Sequence, residues 1–240
     1  MKYMGSKRRI AKDLCEIMNK VIVKHNIKTY IEPFVGGANV IEFIKCDNKI
    51  GGDDNEYLIT LWKSLQNGYK PIDFISRENY YDIKSNKDKY PKEVVALCGI
   101  MASYNGNWFR AYGGYSATKT GKDRNFYDEG IRGLMKQVPN ILDINFVHCD
   151  YKEFSDKVEC LIYCDIPYEN TDKAYKGKKF NYIEFWDWVR VMSKNNIIIV
   201  SEFNAPEDFV CIYEKQLQKT HANQQNKSTE KLFIHNSQIE

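Results

Sequence analysis

The segment Leu161-Ile-Tyr-Cys-Asp165-Ile166-Pro167-Tyr168 joins an apolar run to a carboxylate, a proline and an aromatic ring. The run has the length and composition of a buried strand, and its end delivers Asp165. Pro167 lacks a backbone N–H and holds Ile166 extended, so the turn presents carbonyl oxygens in a fixed direction. A carboxylate beside an acceptor carbonyl takes both hydrogens of an exocyclic amine, while Tyr168 stacks on the ring that carries it. This is chemistry for orienting a weakly nucleophilic amino group.

Three other places offer complementary chemistry. Glu32-Pro-Phe34-Val-Gly36-Gly37-Ala-Asn39 is a glycine turn after a short strand-like stretch. Its glycines let backbone approach a ligand closely, and a helix starting there would favour negative charge. Asp53, followed by Asp54 and Asn55, ends the next strand-like stretch and is suited to accept from ribose hydroxyls. A helix cap is an equal use of that position, and each aspartate could fill one of the two roles. Asp150-Tyr151 sets a carboxylate that could accept from an adenine amino group beside a ring that could pack on a base, or it closes a turn.

Such residues work together only if a fold gathers the strand ends. A helix is predicted over Arg9 to Lys24, a strand at Tyr30 to Pro33 and a helix through Val40 to Ile44. A strand near Lys49 to Asp53 and a helix containing Leu58 to Leu65 follow, completing a parallel βαβ unit. The stretch 66–141 is polar and rich in tyrosine and lysine, with one apolar helix (Val94 to Met101) and a glycine/aromatic segment, Ser103 to Tyr115. Strands resume at Asn145 to Asp150, Glu159 to Asp165 and Asn196 to Ser201, with Phe185, Trp186, Trp188 and Val189 on the apolar side of a helix. Gln216 to Ser228 reads as a mobile polar loop before a last strand, Leu232 to Ile234. The expectation is an α/β protein: a catalytic domain of residues 1–65 and 142–240, interrupted by a mostly helical insertion, 66–141.

At 240 residues, 43% hydrophobic and 28% charged, the composition is that of a soluble globular chain. No apolar run approaches the roughly 20 residues of a membrane span, and no secretory signal is visible. The seven cysteines form no C-x-x-C pair and the four histidines no ligand set, so free thiols in a reducing cytoplasm and no metal are expected. Net charge is only +3, so any nucleic-acid surface must be local. Candidate patches are Lys119, Lys122, Arg124, Arg132 and Lys136, and Lys173, Lys176, Lys178 and Lys179 just past Tyr168.

Taken in order, these segments resemble the Dam-like family of DNA adenine-N6 methyltransferases. Lys2-Tyr3-Met4-Gly5-Ser6-Lys7 is similar to that family's opening lysine motif, with tyrosine for tryptophan and serine for one glycine. Glu32-Pro-Phe-Val-Gly36 resembles its cofactor loop, with Ala38 where glycine is usual. Asp53-Asp54-Asn55 resembles D-x-N, and Asp165-Ile-Pro-Tyr168 the catalytic D-P-P-Y. Tyr104-Asn105-Gly106 and Lys227 to Phe233 also resemble family segments.

The resemblance implies a Rossmann-like class I methyltransferase sheet, S-adenosylmethionine as cofactor and double-stranded DNA as substrate. It gives catalysis to Asp165, Ile166, Pro167 and Tyr168, and the cofactor pocket to Tyr3, Lys7, Glu32, Phe34, Gly36, Gly37, Asp53, Asp150, Tyr151 and Asp165. It makes the insertion the target-recognition region, where Tyr104, Asn105, Asn107, Arg110 and Tyr112, with Lys119, Lys122 and Arg124, would meet DNA. Trp108 and Phe109 are as well placed for a small core. A cytoplasmic monomer or weak dimer, with a cognate restriction endonuclease as possible further partner, completes the expectation. The chemistry of the turn alone equally fits a cytosine-N4 enzyme, and the motif departures leave room for a catalytically silent DNA-binding module.

Overall fold

The computed structural model describes residues 1–117, 123–169, 180–221 and 224–239. Helix α1 (Ala11–Lys24) buries Leu14, Cys15, Met18 and Ile22, the inward stripe its spacing dictates. Strand β1 (Thr29–Glu32) leads into the glycine loop, β2 (Asn48–Asp53) follows, and α2 (Glu56–Gln66) starts directly beyond the aspartates. After the insertion come β5 (Ile144–His148), β6 (Cys160–Asp165), α6 (Tyr182–Met192) and β7 (Ile197–Glu202). The chain closes with β8 (Phe209–His221) and β9 (Gln224–His235).

The seven strands are ordered β5-β2-β1-β6-β7-β9-β8. The first five are parallel, and β9 runs antiparallel to both β7 and β8. From β1 the chain builds outward to β2 and β5, then crosses to β6 on β1's other side. The carboxyl ends of β1 and β6 therefore flank a topological switch point, where open α/β sheets bind ligands. Strand β6 is buried on both faces: Leu161 and Tyr163 enter one core, Cys160, Ile162 and Cys164 the other. That explains its unbroken apolar sequence.

The insertion holds α3 (Arg77–Ser85), α4 (Lys92–Met101), a small hairpin of β3 (Tyr115–Ala117) and β4 (Asp123–Asn125), and α5 (Phe126–Gln137). Its apolar residues Leu97, Ile100, Phe109, Tyr127 and Leu134 join the same core as Tyr30, Trp62 and Leu161. The insertion thus packs as an extension of the sheet's core.

Two expectations are corrected. Residues Val40 to Ile44 form only the single turn Ile41–Phe43, and Ile44 is already extended. Val40, Ile41 and Ile44 are all buried there, so packing holds a run of β-branched residues without a helix. No helix dipole therefore follows the glycine loop. The stretch expected to be a loop at 216–228 is instead mostly strand, except residues 222–223, which are not described. β9 pairs with β7 only through Lys231 to Phe233, while the outer part of the hairpin pairs with itself. The polar sequence of this stretch carries no apolar alternation that would mark it as strand. Among the described residues no helix is long and apolar enough to cross a membrane, no cluster of metal-ligating side chains occurs, and all seven cysteines are free.

Candidate active site

At the end of β1 the glycine loop is tied down almost atom by atom. Gly36 N donates to Asp53 Oδ2 (3.0 Å), and Trp62 Nε1 donates to Gly36 O (3.1 Å). Gln137 Nε2 donates to the carbonyls of Gly37 (3.1 Å) and Ala38 (2.9 Å). Tyr3 lies against both glycines: a Cβ on Gly36 would come within 2.9 Å of its ring, and one on Gly37 within 2.9 Å of its Cβ. Ala38, where the resembling family has glycine, adopts φ 51°, a left-handed conformation that costs a non-glycine residue about 1–2 kcal/mol. Ser6, the other departure, accepts from Arg8 N and from Asn39 Nδ2 (2.8 Å), so it caps the turn that carries Lys7 and braces the loop.

Asp53 and Asp54 differ in position. Asp53 is buried, its two carboxylate oxygens accepting from Gly36 N and from Asn55 N (2.9 Å), whereas Asp54 is exposed. Neither caps α2; that place is Asn55's. Glu32 is buried and accepts from Tyr30 Oη (2.7 Å). Burial, reinforced by the negative charge of Asp165, pushes its carboxyl up to about 8.

At the end of β6, Asp165 and Tyr168 meet a lysine from the start of the chain. Lys7 Nζ lies 3.1 Å from Asp165 Oδ1, 3.1 Å from Glu230 Oε2 and 2.5 Å from Tyr168 Oη. Tyr168 Oη also donates to Glu230 Oε2 (2.8 Å), and its ring stands edge-on to Phe203 at 4.5 Å. Burial alone would depress the Lys7 ammonium, but Asp165 and Glu230 together hold it above the ordinary lysine value. Burial raises the Asp165 carboxyl despite the pull of Lys7. Tyr182 Oη donates to Pro167 O (2.8 Å), so that carbonyl is engaged, and no described side chain donates to the carbonyl of Ile166. Glu202, at the end of β7, accepts from the backbone N–H groups of Glu169 (3.0 Å) and Phe203 (2.6 Å), bracing the turn from behind.

The remaining candidates divide. Asp150 is exposed and caps the turn Tyr151–Phe154, accepting from Lys152 N (3.0 Å). Tyr151 is buried, stacked on Phe34 at 5.6 Å and packed edge-on against Phe185 and Trp188. In the fold Asp150 caps a turn and Tyr151 packs among aromatic rings. Tyr112 organises the insertion: its hydroxyl donates to Ile75 O (2.9 Å) and its ring packs on Tyr80. Phe109 is core and Trp108 is partly buried against it. Tyr104, Asn105 and Arg110 are exposed and Asn107 half-buried, on a loop that presses on the N-terminal segment: a Cβ on Gly106 would meet Tyr3 Cα at 3.1 Å. Arg124 forms a two-pronged ion pair with Glu129 at the exposed rim. Lys119, Lys122, Lys173, Lys176, Lys178 and Lys179 lie outside the described residues.

Glu230 and Gln137 carry no signal of their own in the sequence, whereas Glu202 lies in Ser201-Glu-Phe-Asn204, a strand end that could line the base pocket or close a turn. Glu230 sits in the segment Lys227 to Phe233, singled out only by resemblance.

Comparison with known proteins identifies the family. A Methanocaldococcus jannaschii protein named Type II methyltransferase M.MjaIII is 26% identical, the match covering 78% of this chain and 74% of that protein. Among solved structures, a Haemophilus influenzae protein assigned as a methylase is 10% identical at TM-score 0.38, covering 94% of this chain and 98% of its own. A precorrin 8w decarboxylase of Methanobacterium thermoautotrophicum is 8% identical at TM-score 0.37, covering 92% and 89%. Likenesses that loose do not bear on function. The family model for D12 class N6 adenine-specific DNA methyltransferases matches residues 3–202, which takes in the lysine motif, the glycine loop, Asp53 and the Asp165–Tyr168 turn. The chain therefore belongs to the D12 class of N6 adenine-specific DNA methyltransferases.

Proposed function

We propose that this adenine-specific enzyme acts at a defined site in double-stranded DNA, uses S-adenosylmethionine and draws its target base out of the duplex. The observation that carries the reading is the pairing of Asp165 with the Ile166 carbonyl beside the glycine loop, across the switch point. The loop suits a nucleoside cofactor because Gly36 and Gly37 offer backbone with no side chain of their own. Tyr3, Gly36, Gly37 and Asp53 would hold the cofactor. When bound, S-adenosylmethionine supplies a methyl group already activated on a cationic sulfur.

The chain's task is then the acceptor. An adenine amino group is a poor nucleophile because its lone pair is delocalised into the ring. Asp165 and the Ile166 carbonyl, accepting its two N–H bonds, localise density on nitrogen and fix its direction of approach. Tyr168 stacks on the base. Extrusion from the duplex costs a few kcal/mol. Phosphate contacts repay that cost, and we assign them to Arg124, Lys119 and Lys122, with Tyr104, Asn105, Asn107 and Arg110 facing the bases.

The M. jannaschii relative's type II name suggests a partner endonuclease sharing the recognition sequence, and a cytoplasmic site of action fits the DNA substrate. The test is methylation of duplex DNA followed by digestion to nucleosides. N6-methyladenine at one short sequence is expected. N4-methylcytosine instead, or no transfer at all, overturns the reading.

A further inference from the structure

Lys7, Asp165 and Glu230 form a cluster of three charges, with side chains only 7%, 24% and 14% exposed. Lys7 and Asp165 alone would balance; the second carboxylate leaves the cluster at −1. Glu230 gains no other cation from its strand neighbour. Lys215 lies opposite it on β8, but the Lys215 ammonium is 2.5 Å from Asp13. Glu32 adds little charge at neutral pH, because burial holds its proton, and Glu202 is engaged by two backbone N–H groups. Removing one member of a buried ion cluster leaves its partners uncompensated, so an extra carboxylate implies an extra cation to be met there.

We propose that Glu230 offsets the charge of Lys7, so that the Lys7, Asp165 and Glu230 cluster faces the cationic sulfonium donor with a net negative charge, and the site prefers that donor to its neutral thioether product. This rests on the proposed cofactor and adds what sets its discrimination. Glu230 acts through Lys7 and Asp165 and is a positioning residue. The consequence is a site that releases spent cofactor more readily than it releases the charged donor.

The test is calorimetric titration of the full chain with S-adenosylmethionine and, separately, S-adenosylhomocysteine. In Glu230→Gln the preference for the sulfonium should fall about tenfold, which is about 1.4 kcal/mol. In the double variant Lys7→Gln/Glu230→Gln the net charge returns to −1, and the preference should return to within about twofold of the parent. Equal loss of affinity for both ligands in Glu230→Gln, or no recovery in the double variant, overturns the proposal. If Glu230→Gln fails to fold, Lys7→Gln at pH 8 carries the test in the opposite sense: the preference should rise, and an unchanged or lowered value overturns it. Failure of the parent protein to bind either ligand would instead count against the cofactor assignment.

Discussion

The two ends of the crevice are held by different forces. At β1 the glycine loop is fixed by hydrogen bonds to its backbone and by tight contact: Asp53 on Gly36 N, Trp62 and Gln137 on its carbonyls, Tyr3 against its glycines. At β6 the turn is fixed by charge, with Lys7 shared between Asp165 and Glu230, and Glu202 gripping the backbone beyond Tyr168. One end is specified by shape and has no room for a methyl group. The other is specified by charge and is most sensitive to substitutions that alter volume least.

The contrast is testable from its strong end downward. Asp165→Ala should reduce methyl transfer by at least about 10³-fold, of the order seen when a preorganised polar group is lost, while DNA affinity stays within about tenfold. Near-normal turnover would break the charge-specified side of the comparison.

Glu32, between the two ends, should give a pH signature. Its carboxyl is raised from 4.5 to about 8, so the native state binds its proton more tightly than the unfolded chain does. The stabilisation is complete below about 4.5 and lost as pH rises through about 8. Glu32→Gln should therefore gain stability relative to the parent between pH 5 and 8, by on the order of a few kcal/mol. Parallel melting curves across that range would contradict it.

Gly37→Ala would place a Cβ 2.5 Å from Asn39 Nδ2 and 2.9 Å from Tyr3 Cβ. Overpacking of that kind costs about 1–3 kcal/mol, so cofactor affinity should fall roughly 10- to 100-fold with little change in the turnover of saturated enzyme. A turnover defect at unchanged affinity would blur the distinction between the two ends. Ala38→Gly should show the smallest effect, a gain of about 1 kcal/mol from relief of the left-handed φ, read as a higher Tm. A lower Tm would mean that the buried methyl group contributes more than the backbone strain costs.

Each strand that ends in a chemically useful residue was legible in the sequence, because buried parallel strands leave apolar runs and their ends fall where ligands bind. Asp53 and Asp165 illustrate this. Asp150 shows the limit: an aspartate after a strand is as well suited to closing a turn as to meeting a base, and the bond from Lys152 N is visible only in the fold. The bond from the Tyr112 hydroxyl to Ile75 O, between residues 37 apart, is equally hidden in the sequence. Glu230 and Gln137 were illegible because their roles depend on antiparallel pairing and helix docking across long sequence separations. The outer hairpin, polar in sequence, gave composition nothing to report.

Tyr3 has a last consequence. Its ring bears on Gly36 while its backbone abuts Gly106 of the exposed insertion loop, so one residue is wedged between the loop suited to the methyl donor and the loop suited to reading DNA. Lys2 Nζ adds a hydrogen bond from the same segment to Ser103 O (3.3 Å), so the N-terminal residues touch both loops at once. By thermodynamic reciprocity, any factor by which duplex changes donor affinity is the factor by which donor changes duplex affinity.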